Sequence, residues 1–325
     1  MRALLCTELG PPSQLTVAEV DDPVPGPGEV LVEVGAAGLN FPDTLIIEGK
    51  YQFRPELPFS PGGEAAGVVA EVGEGVAGVS PGDRVIAVST FGAFAERWVV
   101  PAASVMPIPA DLDAVTAAGF ALTYGTSYHA LKQRAAIQPG ETLLVLGAAG
   151  GVGSAAVELG RAMGARVIAA ASTTPKLDFC RQLGADEVVD YSAESLRDRV
   201  RELTAGRGVD VVFDPVGGEI TEQAFRSTAW NGRHLVVGFA AGDIPAIPVN
   251  LALLKGASLV GVFWGRSLGE EPATAFRNFV ELSALVAEGR IHPRIWKVFE
   301  LEDYEEAFGV FARREVMGKA VFRLR

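Results

Sequence analysis

Cysteine occurs only twice in the 325 residues, as Cys6 and Cys180, and histidine only three times, as His129, His234 and His292. Two cysteines cannot build a disulfide framework, and they suit a reducing compartment. Zinc needs three or four Cys, His or carboxylate ligands held together; here the histidines are scattered and have no companion cysteine, so no metal site is expected. His129 is expected on a helix and His234 in a turn at 232–234, both in structural roles. Positive charge is scarce too: 28 Lys and Arg against 40 Asp and Glu leave a formal charge of −12. That balance argues against binding nucleic acid or an anionic membrane, where lysine and arginine dominate. No unbroken run of 18 or so apolar residues marks a membrane-spanning helix. The opening MRALLC has neither a basic start nor a long apolar core, so no signal peptide and a cytoplasmic location are expected. Internal repeats and low-complexity stretches are also missing.

What the chain has instead is an apolar fraction of 49%, a charged fraction of 21% and 38 glycines, the composition of a glycine-rich α/β enzyme. Its length exceeds one typical core and predicts two domains. Leu143–Leu146 is a short apolar run with the length of a buried strand, followed by Gly147, Gly150, Gly151 and Gly153. An alanine-rich stretch from Ser154 to Met163 reads as a helix, and Val167–Ala171 as a second buried strand. Strand, glycine turn, helix, strand is the unit that seats a dinucleotide pyrophosphate on a helix N-terminus. Against G-x-G-x-x-G the turn reads Ala148-x-Gly150-x-x-Gly153, with alanine at the first position and Gly151 and Val152 between the two glycines. Gly150 permits close backbone approach to pyrophosphate, and Gly153 close helix–strand packing. A purely structural turn is the competing reading.

The end of the second strand selects the cofactor. NAD sites place Asp or Glu about 20 residues past the glycines, on the ribose 2′-hydroxyl. Here the segment is Ala169-Ala170-Ala171-Ser172, with Lys176 and Arg181 downstream and no acid. A 2′-phosphate wants hydroxyl and cationic donors and is repelled by a carboxylate, so NADPH is expected.

Residues 1–100 read as short strands, Leu15–Val20, Val30–Ala36, Gly67–Val72, Arg84–Val88 and Phe94–Val100, cut by Gly and Pro turns into a β-barrel-like unit. Helical periodicity begins at Thr116–Arg134. Strands at Glu187–Val189, Asp210–Phe213, Leu235–Val237 and Leu259–Val262 complete six, with helices at Leu177–Leu183 and Ser195–Leu203 between them. Loops beginning at Gly147, Ser172, Asp214 and Gly238 should converge at the C-terminal strand ends, where doubly wound sheets bind ligands. The tail, an amphipathic helix at Glu271–Glu288, a short helix near Tyr304–Ala312 and a strand at Gly318–Leu324, is expected to return to the first domain. The predicted division is 1–122, 123–263 and 264–325. Asn40 and Asp43, in a loop after the Val30–Ala36 strand, either cap a helix at Thr44–Ile47 or hydrogen-bond a substrate carbonyl, a water or other site residues. Tyr51 either presents its phenol to the same place or packs as a partly buried ring.

Gly38-Leu39-Asn40-Phe41-Pro42-Asp43, Gly62-Gly63-Glu64-Ala65-Ala66-Gly67, the Ala148–Gly153 turn, Asp214–Gly218 and Gly318-Lys319 together resemble the zinc-independent medium-chain dehydrogenases/reductases, in particular the quinone oxidoreductases, along essentially the whole chain. Zinc alcohol dehydrogenases carry a ligating cysteine where Asn40 stands and a histidine where Gly63 stands. The four-cysteine zinc lobe has no counterpart after Val99. Gly49-Lys50-Tyr51 matches the family's Gly-x-Tyr, whereas Ile47 stands where members often have arginine. The resemblance implies a Rossmann doubly wound sheet joined to a GroES-like catalytic domain. It further implies that Thr126 contacts the nicotinamide carboxamide region and that Ser172, Lys176 and Tyr191 surround the 2′-phosphate. Phe239, Phe263 and Trp264 would lie beside nicotinamide and substrate, Trp264 alternatively plugging a domain interface. The implied activity is hydride transfer from NADPH to a quinone or another electron-poor conjugated carbonyl, with Asn40, Asp43 and Tyr51 orienting the acceptor. An enoyl-thioester or 2-alkenal reductase is the alternative enzyme, and an NADPH-binding regulatory or RNA-associated protein the non-enzymatic one. A homodimer or homotetramer is implied, paired through edge strands near Leu259–Phe263.

Overall fold

The computed structural model describes residues 1–325. The chain opens with strands β1 (Arg2–Cys6), β2 (Leu15–Glu19) and β3 (Glu29–Leu39), helix α1 (Phe41–Ile47), and strands β4 (Glu64–Val72), β5 (Arg84–Val88), β6 (Arg97–Pro101) and β7 (Val105–Pro107). Helices α2 (Ala114–Ala117) and α3 (Ala121–Tyr128) follow, the latter continued by a π-helical stretch at His129–Arg134. Strands and helices then alternate: β8 (Thr142–Val145), α4 (Gly151–Ala162), β9 (Arg166–Ala171), α5 (Thr174–Gln182), β10 (Glu187–Asp190), α6 (Leu196–Leu203) and β11 (Val209–Asp214). The alternation continues through α7 (Glu219–Arg226), β12 (Thr228–Val236), α8 (Asn250–Lys255) and β13 (Ser258–Gly261). The last elements are α9 (Trp264–Glu270), α10 (Pro272–Ala287), β14 (Ile295–Glu300), α11 (Tyr304–Ala312) and β15 (Lys319–Arg323).

Two compact units result, Met1–Leu122 with Pro293–Arg325, and Thr123–His292. The second boundary corrects the sequence reading, which sent everything after 263 back to the first unit. Residues 264–292 stay with the second unit for identifiable reasons. The Trp264 indole lies against Gly125, where a Cβ would meet it at 2.5 Å. Asn278 of α10 exchanges two amide hydrogen bonds with Gln133, at 2.8 and 3.1 Å. Trp264 therefore packs inside the second unit.

The first unit carries a sheet ordered β14-β15-β3-β4-β5-β7, with β6 also paired to the first half of β3, and a separate β1-β2 hairpin. The alternation in Val30, Val32 and Val34 turns those side chains into a core shared with Phe94, Trp98, Phe308 and Phe322. Phe94 and Phe322 meet edge to face at 4.9 Å between ring centres, an arrangement that adds to simple burial.

The second unit is a six-stranded sheet in the order β10-β9-β8-β11-β12-β13, with every pairing parallel. Its central strands are buried on both faces, which is why Leu143–Val145 and Val167–Ala171 read as continuous apolar runs. The order reverses between β8 and β11, the point where such sheets open a crevice at their carboxyl ends. His234, expected in a turn, sits fully buried on β12, paired in register with Val212 of β11.

Candidate functional site

In the second unit the turns after β8, β9, β10, β11 and β12 all leave the same edge of the sheet. Gly147 takes the left-handed conformation, with φ at +54°, so the strained position falls one residue before Ala148. This is why alanine is tolerated at the first place of the glycine motif. Gly153 admits no side chain, since a Cβ there would lie 2.3 Å from the Gly147 carbonyl oxygen. Gly150 is the N-cap of α4 and offers no side chain to cap the first turn, which also carries no acid. The first N–H groups of a 12-residue helix, at Gly151, Val152 and Gly153, therefore carry the positive end of its dipole with no carboxylate against it. Such an end takes a phosphate.

Asp190 of β10 pairs in register with Ala171 of β9, which sets Tyr191 beside Ser172. The two loops are tied by the Ser192 hydroxyl, which donates to the Ser172 carbonyl at 3.0 Å. Lys176, in the first turn of α5, and Tyr191 are both half-buried. Asp190, at the end of β10, is engaged by the Ser192 hydroxyl at 2.6 Å and the Ser192 N–H at 3.0 Å. Those hydrogen bonds hold its carboxyl below the usual range. Ser172, Lys176 and Tyr191 are thus brought to one corner of the sheet edge.

The Asp214–Gly218 loop is clamped from below. Asp214 Oδ1 accepts the Val216 and Gly217 N–H groups at 2.8 and 3.0 Å, and Oδ2 accepts the Thr221 hydroxyl at 2.6 Å and faces His234 Nε2 at 3.1 Å. Burial raises the Asp214 carboxyl, but His234, Thr221 and the Gly217 N–H outweigh it and hold the carboxyl low. Phe239 lies over Gly217, whose missing Cβ would meet the ring at 2.9 Å. Phe263 precedes α9 and is 54% exposed. Thr126 is half-buried on α3, beside the Gly125–Trp264 contact.

The first unit gathers a second set. Helix α1 begins at Phe41, earlier than the Thr44 start the sequence suggests, so Asn40 is its N-cap and Asp43 lies within its first turn. Asp43 Oδ2 accepts the Asn40 backbone N–H at 2.7 Å, an N-terminal cap. Asn40 and Asp43 are both buried. Burial drives the Asp43 carboxyl up to about 7, with the Asn40 hydrogen bond and Lys319 opposing and Glu64 adding to the rise. Tyr51 is half-buried against the same core, its phenol raised first by burial and then by the charge of Asp43. Sequence reasoning missed Glu64 and Lys319 as members of this cluster. Lys319 Nζ lies 3.1 Å from Glu64 Oε2 and also donates to Asn40 Oδ1. The available signal was a charge standing directly before an apolar run at the start of a strand, Glu64-Ala-Ala-Gly-Val-Val and Lys319-Ala-Val-Phe.

No group of three or more His, Cys, Asp or Glu side chains is placed to hold a metal ion.

A family model described as alcohol dehydrogenase GroES-like domain matches residues 26–110, and one described as zinc-binding dehydrogenase matches 151–284. The chain is similar to quinone oxidoreductase-like protein 2 of Rattus norvegicus, at 42% identity over 325 residues, covering 100% of this chain and 92% of that protein. A mycobacterial protein solved in complex with NADPH superposes with a TM-score of 0.93 at 32% identity, over 99% of this chain and 100% of that one. The Escherichia coli quinone oxidoreductase, also complexed with NADPH, gives 0.93 at 28% identity, over 99% and 100%. With sequence and fold alike along the full length, the chain belongs to the zinc-independent, quinone oxidoreductase-like family of the medium-chain dehydrogenase/reductase superfamily.

Proposed function

We propose that this protein is an NADPH-dependent reductase of quinones and related electron-poor conjugated carbonyls, working without zinc. The observation that carries the reading is the carboxylate-free end of β9 beside Lys176 and Tyr191, next to the uncapped N-terminus of α4. Gly150, Gly151, Val152 and Gly153, with Ala148 in the turn, would hold the pyrophosphate through backbone N–H groups. Ser172, Lys176 and Tyr191 would hold the 2′-phosphate, and Thr126, Phe239, Phe263 and Trp264 the nicotinamide end. Bound there, NADPH supplies the hydride. Asp43 and Tyr51 would orient the acceptor, with Asn40 fixing the start of α1 beneath them. An already polarised double bond or quinone needs no Lewis acid, so positioning supplies much of the rate.

The assembly we propose is a homodimer, or a dimer of dimers, formed through β13, an edge strand of its sheet. Leu259 on that strand is 44% exposed.

The test is steady-state NADPH oxidation against quinones, short enones, 2-alkenals and enoyl-thioesters, with NADH in parallel. Quinone turnover with NADPH well ahead of NADH is expected, and Lys176→Ala should raise the KM for NADPH about tenfold while sparing NADH. Equal use of both cofactors would overturn the phosphate corner. A maximum on enoyl-thioesters or 2-alkenals would move the substrate class, and tight NADPH binding with no turnover on any acceptor would favour a binding protein.

A further inference from the structure

An asparagine amide has two N–H donors and an oxygen with two lone pairs. In Asn40 both donors are spent inside the protein: Nδ2 gives one hydrogen bond to the Gly38 carbonyl at 3.1 Å and one to Glu64 Oε2 at 3.2 Å. Its Oδ1 accepts from Lys319 Nζ, so the amide has no N–H left for a substrate carbonyl. Lys319 is equally committed, to Asn40 Oδ1, to the Leu39 carbonyl at 3.1 Å and to Glu64 at 3.1 Å. The remaining Glu64 oxygen accepts the Leu122 N–H at 2.9 Å. Glu64 and Lys319 are 0% and 4% exposed, so this ion pair is fully enclosed and joins β4, β15 and the start of α1. Asp43 differs from all of these. One of its oxygens takes the Asn40 backbone N–H, and no protein donor reaches the other.

We propose that Lys319 and Glu64 are positioning residues, which lock Asn40 and through its backbone the Asp43 carboxyl, and that Asp43, not Asn40, exchanges a proton with the reduced substrate. The assignment rests on the reductase reading above. An acceptor that has received hydride carries one negative charge and needs one proton. The Asp43 O–H bond breaks, an O–H or C–H bond forms on the substrate, and water returns the proton to the carboxylate. A carboxyl poised at about 7 suits either direction of that exchange. The charged and titratable groups facing Asp43 are Lys319 from β15, Glu64 from β4 and Tyr51 from the segment after α1. Removing either partner of the ion pair therefore moves the Asp43 titration in a defined direction.

The experiment follows the carboxyl carbon of Asp43 by NMR in selectively labelled, cofactor-free protein across pH, and the pH profile of kcat/KM in parallel. Glu64→Gln should lower the Asp43 midpoint and Lys319→Met raise it, each by about one unit. The kinetic profile should shift with them, and Lys319→Arg should restore both. The double variant Lys319→Met, Glu64→Gln removes both charges and should leave the midpoint near that of the unaltered protein, and the shift in Glu64→Gln alone carries the test should Lys319→Met fail to fold. An Asp43 titration identical in every variant would overturn the positioning role. Full kcat/KM in Asp43→Asn would overturn the proton role. Shifted titrations in a protein that turns over no acceptor would support positioning and sink the reductase reading.

Discussion

Asp43 is the residue at which folding works against its own chemistry. A carboxyl driven by burial from its ordinary value near 3.8 to about 7 binds a proton in the folded chain that the unfolded chain has already lost. Between roughly pH 4 and pH 7 the folded state holds more protons, so this group's contribution to stability falls as pH rises through that window. The cost of ionising it in place is on the order of a few kcal/mol. Asp43→Asn keeps an oxygen for the Asn40 N–H and cannot ionise. Denaturant unfolding at pH 5 and pH 8 should therefore show a drop in the unaltered protein and a clearly smaller one in Asp43→Asn. An equal drop in both would place the titration elsewhere. Glu64 and Lys319 act in the opposite sense: single removal leaves a buried charge unpaired, which costs about 3–5 kcal/mol.

Helix α4 also holds the second unit together. Glu158, buried on it, accepts a hydrogen bond from the Tyr124 hydroxyl and lies 3.2 and 3.3 Å from the His292 backbone N–H. Tyr124 is one residue past the start of the second unit, and His292 is its last residue. A single carboxylate thus ties both ends of the unit to the helix that would carry the cofactor. Glu158→Ala removes the acceptor of a buried tyrosine hydroxyl and of the His292 N–H and should cost about 1–3 kcal/mol. Hydrogen exchange at the His292 amide should speed up by a comparable factor, while the amides of β3 and β4 keep their protection. Unchanged exchange at His292 would show that the carboxylate holds nothing there.

For the whole molecule, the −12 net charge means that the phosphate site proposed at α4 and Lys176 has to rest on local positive charge. No helix is long and apolar enough to cross a membrane. The second unit leaves Val249, Leu253, Leu254, Leu259 and Phe263 exposed, Leu259 on the edge strand β13 itself. Ultracentrifugation should find a dimer or tetramer for the unaltered chain and monomers for Leu259→Lys. A monomer without any substitution would remove β13 as an interface.

The alternation of strands with helices, the buried runs at Leu143 and Val167, and the glycine turn were legible in the chain because they are local: side-chain period and glycine spacing need no tertiary knowledge. The missing acid after Ala171 was legible for the same reason. Other features depended on residues far apart in sequence. Residues 264–292 joined the second unit because Trp264 found a flat seat at Gly125 and Asn278 a matching amide at Gln133. His234 became a buried strand residue because β12 pairs with β11. The Glu64–Lys319 pair lies 255 positions apart along the chain, between Glu64 and Lys319. Only the pairing of β3 with both β4 and β15 brings those charges together, and with them the environment that sets the chemistry of Asn40 and Asp43. Periodicity fixes what each segment becomes, whereas burial and long-range pairing decide what each polar group can do.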